Sequence, residues 1–127
     1  MVGIDIAEDG LVYVADRGAD RIQVFTKEGK YLKEFFIRPN TLGTGSVWGT
    51  MFSRDPKEKY LYVSDGVNGK IHILNREDGK EVASFGHKGH QAGQFDQVER
   101  MALDSKGNLC VTEVAPNTRL QKFVPVK

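Results

Sequence analysis

Three stretches of the chain repeat one pattern, and a repeat of this length restricts the fold more than any other feature of the sequence. Gly10-Leu11-Val12-Tyr13-Val14-Ala15-Asp16 is followed by Arg21-Ile22-Gln23-Val24-Phe25. Tyr60-Leu61-Tyr62-Val63-Ser64-Asp65 is followed by Lys70-Ile71-His72-Ile73-Leu74. Asn108-Leu109-Cys110-Val111-Thr112-Glu113 is followed by Arg119-Leu120-Gln121-Lys122-Phe123. Asp16 and Asp65 are 49 residues apart, and Asp65 and Glu113 are 48 apart. The period is therefore just under fifty residues, and the chain holds fewer than three full copies.

Each copy reads as short strands. The first offers Gly3–Ala7, Leu11–Asp16, Ile22–Thr26 and Tyr31–Phe36, broken at Asp9-Gly10, Arg17–Asp20 and Lys27–Lys30. Turn-rich segments between β-branched and aromatic runs are the mark of hairpins. The second copy offers Gly49–Ser53, Tyr60–Asp65, Lys70–Leu74 and Glu81–Phe85; the third offers Met101–Leu103, Leu109–Glu113 and Leu120–Val124. No segment sustains an apolar period of 3.6, so no helix is expected. Four antiparallel strands per repeat is the anatomy of a β-propeller blade. In the first copy Val12, Val14, Ile22 and Val24 are expected on one face and Tyr13, Ala15 and Phe25 on the other. Strands apolar on both faces sit between two neighbours, as a blade does. The expected architecture is all-β, with two full blades and most of a third in an incomplete ring, at about residues 2–37, 47–95 and 98–127 of one domain.

Composition narrows the function classes. At 127 residues, the chain has the size of one domain and needs no disulfide to hold a core. Its 18 Lys and Arg against 17 Asp and Glu leave a formal charge of +1. The copies are evenly charged too, with 6 basic to 7 acidic residues over 1–38, 7 to 6 over 39–95 and 5 to 4 over 96–127. No blade carries the basic stripe of an RNA reader, so nucleic-acid partners are not expected. No apolar run is long enough for a membrane span, and the first residues lack a basic segment followed by an apolar stretch. The expectation is a soluble protein without a retained signal peptide, its compartment open between cytosol and periplasm with the cytoplasm slightly favoured. Cys110 is the only cysteine, so no intrachain disulfide or zinc-finger framework is available. It lies mid-strand and is expected to be buried and inert.

The residues resemble a known family. Val12-Tyr13-Val14-Ala15-Asp16 through Arg21-Ile22-Gln23-Val24-Phe25 and then Gly29-Lys30 is similar to an NHL repeat. So are Tyr62-Val63-Ser64-Asp65 through Ile73 with Gly79, Phe85-Gly86, Gly89, Gly93 and Phe95, and Leu103-Asp104-Ser105-Lys106-Gly107-Asn108 through Gln121-Lys122-Phe123. The resemblance covers nearly the whole chain and implies a propeller usually of six blades. NHL propellers serve as protein scaffolds, RNA readers, and lyase or hydrolase domains, so the resemblance specifies fold more than function. It also bears on the alternative function, a metal-dependent lyase or hydrolase domain whose site forms only in the closed ring; in the peptidyl-glycine lyases that such propellers resemble, histidines stand at the inner start of several blades. The comparable positions here lie near Trp48 and near Glu99-Arg100, and neither is histidine.

An open stack of blades leaves both end faces wet. At roughly 25 cal/mol per Å² of apolar surface, one such face forfeits several kcal/mol, comparable to the stability of a domain. The chain could be a piece of a longer propeller, a half-propeller that pairs with a copy of itself, or a subunit that pairs with a different chain. Two copies of three blades give six, and two-fold symmetry is the commonest, so a homodimer is the expected partner arrangement.

Few motifs carry chemistry. The acid before each hairpin (Asp16, Asp65, Glu113) is followed by a base (Arg21, Lys70, Arg119). The pairs could form a ring of charges that grips a ligand. Because they recur in every copy, a structural latch is the preferred reading. His87 and His90 lie three apart in a Gly-rich connection, a spacing too weak in a loop to specify a metal site. His72 is placed in a strand, away from them. The loop Arg38–Val47 lacks the Lys and the strand–helix frame of a phosphate loop. Trp48 is the only tryptophan, either an aromatic platform at the channel mouth or a packing residue between blades. No catalytic set, metal or cofactor is assigned. Strand directions put Arg17–Asp20, Gly66–Gly69, Val114–Thr118 and the two long connections, Arg38–Val47 and Gly86–Gln97, at one end. The expectation is a non-catalytic recognition or scaffold module that binds a protein, peptide or small ligand at that end, near Trp48, His87, His90, Glu99 and Arg100.

Overall fold

The computed structural model describes residues 3–125; the expected blade limits at Val2 and Lys127, and Val126 in the tail, lie outside the described residues. Eleven strands form three antiparallel sheets, each running in sequence order from the inside outward. Blade 1 is β1 (Gly3–Ile6), β2 (Val12–Asp16), β3 (Arg21–Phe25) and β4 (Tyr31–Phe36). Blade 2 is β5 (Gly49–Phe52), β6 (Tyr60–Asp65), β7 (Lys70–Asn75) and β8 (Glu81–Phe85). Blade 3 has β9 (Gln97–Leu103), β10 (Leu109–Val114) and β11 (Leu120–Phe123). The architecture is two full propeller blades and most of a third in an open stack. Among the described residues the only helical element is a 3-10 turn at Arg17–Ala19, closed by Asp20 in the left-handed region, and no helix is long and apolar enough to cross a membrane.

The repeat reaches down to irregularities of pairing. A bulge falls between Val24 and Phe25 in blade 1 and at the equivalent Ile73 and Leu74 in blade 2. A bulge bends its strand and tightens the twist, which suits an outer strand that wraps a neighbouring blade.

Two details differ from the sequence reading. Strand β9 begins at Gln97, four residues before Met101, because Gln97-Val98-Glu99-Arg100 pairs with β10 despite its polar composition. The faces of blade 1 are also sorted differently. Val12 lies opposite Phe25 and Tyr13 opposite Val24, so Tyr13, Ala15, Ile22 and Val24 share the buried face, and Val12, Val14 and Phe25 share the other. The hairpin register decides this, since the pairing of Asp16 with Arg21 across the Arg17–Asp20 turn fixes which residues sit side by side.

Two cores result, one in each seam between blades. Tyr13, Ile22, Val24 and Phe35 of blade 1 meet Leu61, Val63 and Leu74 of blade 2. Ile71 of blade 2 meets Phe95 of the connection after β8 and Val98, Leu109 and Val111 of blade 3. Gly79 makes the first seam possible. Its φ is +73°, and a Cβ there would stand 2.1 Å from the Phe35 ring. Cys110 is half-buried rather than buried, because it faces the uncovered side of blade 3.

Candidate functional site

Strands β1, β5 and β9 are the inner edge of each sheet, and each is paired on one side only. Their other edges turn backbone N–H and C=O groups toward the axis, where a ligand or water must satisfy them. Between them runs an open groove of about 800 Å³. Trp48 stands at its long-loop end, Glu99, Arg100 and Met101 along one wall, and Arg54, Asp55 and Glu58 toward the short-turn end.

Two hydrogen bonds set the spacing of these strands. Thr50 Oγ1 on β5 donates to Asp5 Oδ2 on β1 at 2.6 Å. Ser64 Oγ donates to the Glu99 carbonyl at 2.6 Å. The second depends on a bulge in β9. Val98 pairs with Glu113 and Arg100 with Thr112, so Glu99 is the extra residue. Its carbonyl is tucked against Ser64 and Gly49, where a Cβ on Gly49 would meet it at 2.5 Å. The inner strands β1 and β5 pair without such a break. Among the described residues neither Glu99 nor Arg100 has a side-chain hydrogen bond or ion pair, so both remain available to a ligand.

Trp48 is more structural than a free platform. Its indole N–H donates to the Gly45 carbonyl at 2.9 Å, and the Arg17 guanidinium lies over the ring at 4.9 Å. Gly66 packs so closely that a Cβ would stand 2.4 Å from the ring. Gly45 itself, at φ +92°, passes over the Arg17 carbonyl where no side chain fits. What Trp48 offers the groove is the remaining half-buried edge of the ring.

His87 and His90 do not line the groove. Both are exposed in the second long connection, where His90 Nδ1 meets Asn117 Oδ1. This connection is tied down: Arg119 donates to the carbonyls of His90, Gln91 and Gln94, and the Lys88 ammonium to those of Gly66 and Asp96. The first connection is fixed similarly, with the Ser46 N–H donating to Asp20 Oδ1 at 2.8 Å and the Ser46 hydroxyl to the Ile37 carbonyl.

The recurring acids are fasteners, with one departure from the expected pairing. Asp16 pairs with Arg21 at 2.9 Å and Glu113 with Arg119 at 2.6 Å. Asp65 turns instead to Asn68 and to His72 Nε2 at 2.8 Å, while Lys70 donates to the Gly86 carbonyl. A basic strand start and a buried imidazole compete for one carboxylate, and the imidazole is nearer the core. The other ring nitrogen of His72 lies 3.0 Å from Glu81 Oε1 but out of hydrogen-bond alignment. Nothing in the spacing of Asp65 and His72 distinguished this pair beforehand.

A second cavity of about 610 Å³ opens at the short-turn end, around Arg76. That guanidinium is committed. It donates to the Glu58 carbonyl, the Tyr13 hydroxyl and Asp9 Oδ2, and lies over the Tyr13 and Phe52 rings. It bolts blade 1 to blade 2. Among the described residues no three His, Cys, Asp or Glu side chains gather as a metal-holding group.

No protein-family model matches the chain. It is similar to the crystal structure of a protein of unknown function from Bacteroides caccae, at 18% identity over 91% of this chain with a TM-score of 0.70. It is similar to virginiamycin B lyase from Staphylococcus aureus at 15% identity over 99% of this chain, TM-score 0.66. A streptogramin B lyase structure aligns at 16% identity over 99%, TM-score 0.64. The chain spans 39%, 42% and 41% of the lengths of these three proteins. Likeness at such identity speaks for fold alone, and the fold it supports is a partial β-propeller.

Proposed function

We propose that the chain is an NHL-repeat recognition or scaffold module without catalytic activity, which binds a protein, peptide or small ligand in the axial groove at its long-loop end. The observation that carries this reading is the bulge at Glu99. It is the one break in the pairing of the three inner strands, and it stands beside Arg100 with both charged side chains unengaged among the described residues. The repeated acids are consumed in bonds within their own hairpins, so charged side chains without a structural partner are the feature left for recognition. A carboxylate and a guanidinium on adjacent residues of the groove wall, backed by free strand-edge amides, suit a ligand with its own backbone or zwitterionic groups. His87 and His90 stand outside this site, in the connection that Asn117 and Arg119 hold.

A displayed random-peptide library panned on the wild-type chain tests this. Peptides enriched on it should lose at least about tenfold in affinity on Glu99→Gln and on Arg100→Ala. Binders indifferent to both substitutions but lost on changes at Lys30 or Glu77 would place recognition at the other end and overturn the proposal.

A further inference from the structure

We propose that two copies of this chain close on one another, the uncovered face of blade 1 in each seating the uncovered face of blade 3 in the other. Register shows that these faces are halves of a seam. Val14 on β2 holds the position of Val63 and Val111, and both of those are fully buried against the preceding blade. Leu120 on β11 holds the position of Ile22 and Ile71, both fully buried against the following blade, yet Leu120 is 64% exposed. Ile4 and Ile6 stand 65% and 64% exposed on the blade 1 face. What covers Val63 and Val111 is the back of a blade, so the occupant that fits Val14 is the back of a blade. The described chain has one such surface free, on blade 3.

The receiving machinery is repeated as well. Arg119 and Gln121 reach across the second seam to the backbone of the 86–96 connection, Gln121 Nε2 donating to the Gln94 carbonyl at 2.8 Å. Blade 1 carries the same arginine and glutamine, Arg21 and Gln23, at the same register positions. There Arg21 folds back onto Glu34 at 3.1 Å. Charge agrees. The blade 1 face presents Asp16 and Glu34 around Arg21, and the free blade 3 face presents Arg100, which has no side-chain partner among the described residues, and Lys122, which pairs with Asp104 at 3.3 Å. Opposite signs on two faces of one chain favour this pairing over blade 1 meeting blade 1. A two-fold rotation satisfies both ends at once and closes the assembly.

Light scattering on the purified full chain across the micromolar range should give twice the monomer mass. Ile4→Lys and Leu120→Lys each change a side chain already exposed in the protomer, so circular dichroism and Trp48 fluorescence should stay as in wild type. Each should weaken the pair at least about a hundredfold. A wild-type monomer overturns the proposal and leaves the faces to a different chain or to further blades. So does dissociation by Ile4→Lys alone, which means blade 1 faces meet each other, and so does a ladder of growing masses, which means the contact does not close. The substituted residues are not the groups that hold the ligand, but Arg100 shares the blade 3 face with Leu120, so pairing and recognition meet at that residue. Peptide binding by the monomeric Leu120→Lys variant therefore shows whether recognition survives without pairing.

Discussion

The seam between blades 1 and 2 and the seam between blades 2 and 3 solve the same problem with different chemistry. The first is mainly aliphatic, with Tyr13 meeting Phe52 edge-on at 5.1 Å, and a buried imidazole between Asp65 and Glu81. Arg38 closes that line from the surface by pairing with Glu81. The second is aromatic, with Phe85, Phe95 and Phe123 in a triangle of 5.2 to 6.2 Å. Its polar centre is Glu113, which accepts from the Asp96 N–H, Asn117, Arg119 and Gln121. The difference shows what the repeated acid is for. Its side-chain partners come from the hairpin that follows it in the same copy, Arg21 for Asp16, Asn68 and His72 for Asp65, and Asn117, Arg119 and Gln121 for Glu113, so each copy has its own set, and the acid of blade 1 has the fewest.

The comparison breaks most severely at Glu113. Its side chain is fully shielded, and its removal leaves the Asp96 N–H without its acceptor and takes one bond each from Arg119, Asn117 and Gln121, which keep their bonds to loop carbonyls. Glu113→Ala should cost about 3–5 kcal/mol, read as a lowered urea midpoint. An effect below 1 kcal/mol would mean that the second seam is held by its aromatic residues alone.

Acid should separate the seams next. Burial alone raises the Glu113 pKa, but hydrogen bonds from Arg119, Asn117, the Asp96 N–H and Gln121 outweigh it and bring the group from its ordinary 4.5 down to about 2. A carboxyl whose folded pKa is depressed stabilises the fold while ionised. That contribution is complete above about pH 4.5 and is lost as pH falls through about 2. Its full size is roughly 3 kcal/mol. Asp104, held at about 2 by hydrogen bonds from the Asn108 side chain and backbone, titrates over the same range at the surface. Unfolding measured against pH in wild type and Glu113→Gln isolates the buried group, since the variant should lose most of the slope in that window. An unchanged slope would transfer it to Asp104 and the other surface acids.

His72→Ala probes the first seam. Asp65 loses its imidazole partner but keeps both donors of Asn68, so the cost should be about 2 kcal/mol, less than at Glu113. A larger loss than Glu113→Ala produces would reverse the ranking of the seams.

Ten of the eleven strands lie where alternation and turn residues place them, because hairpins are local and the repeat states each hairpin more than once. The start of β9 was not legible, since its polar first residues pair through a bulge that only the neighbouring Gly49 and Ser64 explain. Face assignment in blade 1 also escaped the reading. Periodicity gives two faces per strand, and the hairpin register that matches them between strands is set by the turn. Of the five candidate site residues, Trp48, Glu99 and Arg100 line the groove because inner strands begin where the long connections end. Strand direction puts the connection that carries His87 and His90 at the same end, but Asn117 and Arg119 hold that loop away from the groove. Asp5 and Thr50 were passed over, because a lone acid and a lone threonine in separate strands carry no signal until the strands are side by side.

The smallest expected effect is at Asp16, and it tests the logic of the comparison most directly. Asp16 occupies the position of Asp65 and Glu113, with a side chain 19% exposed and Arg21 as its ion-pair partner. Arg21 is itself half-exposed and shared with Glu34, so water and a second carboxylate take over when Asp16 is removed. In a protomer whose blade 1 face is open, Asp16→Ala should cost less than about 1 kcal/mol. If the faces close on a second copy, the same substitution empties a position inside a covered seam. The cost should then rise with protein concentration, because folding and pairing are linked by mass action. Urea unfolding of Asp16→Ala at two concentrations an order of magnitude apart distinguishes the cases. A small, concentration-independent loss means an acid with nothing in front of it, and a loss that grows with concentration means that a blade sits there in solution.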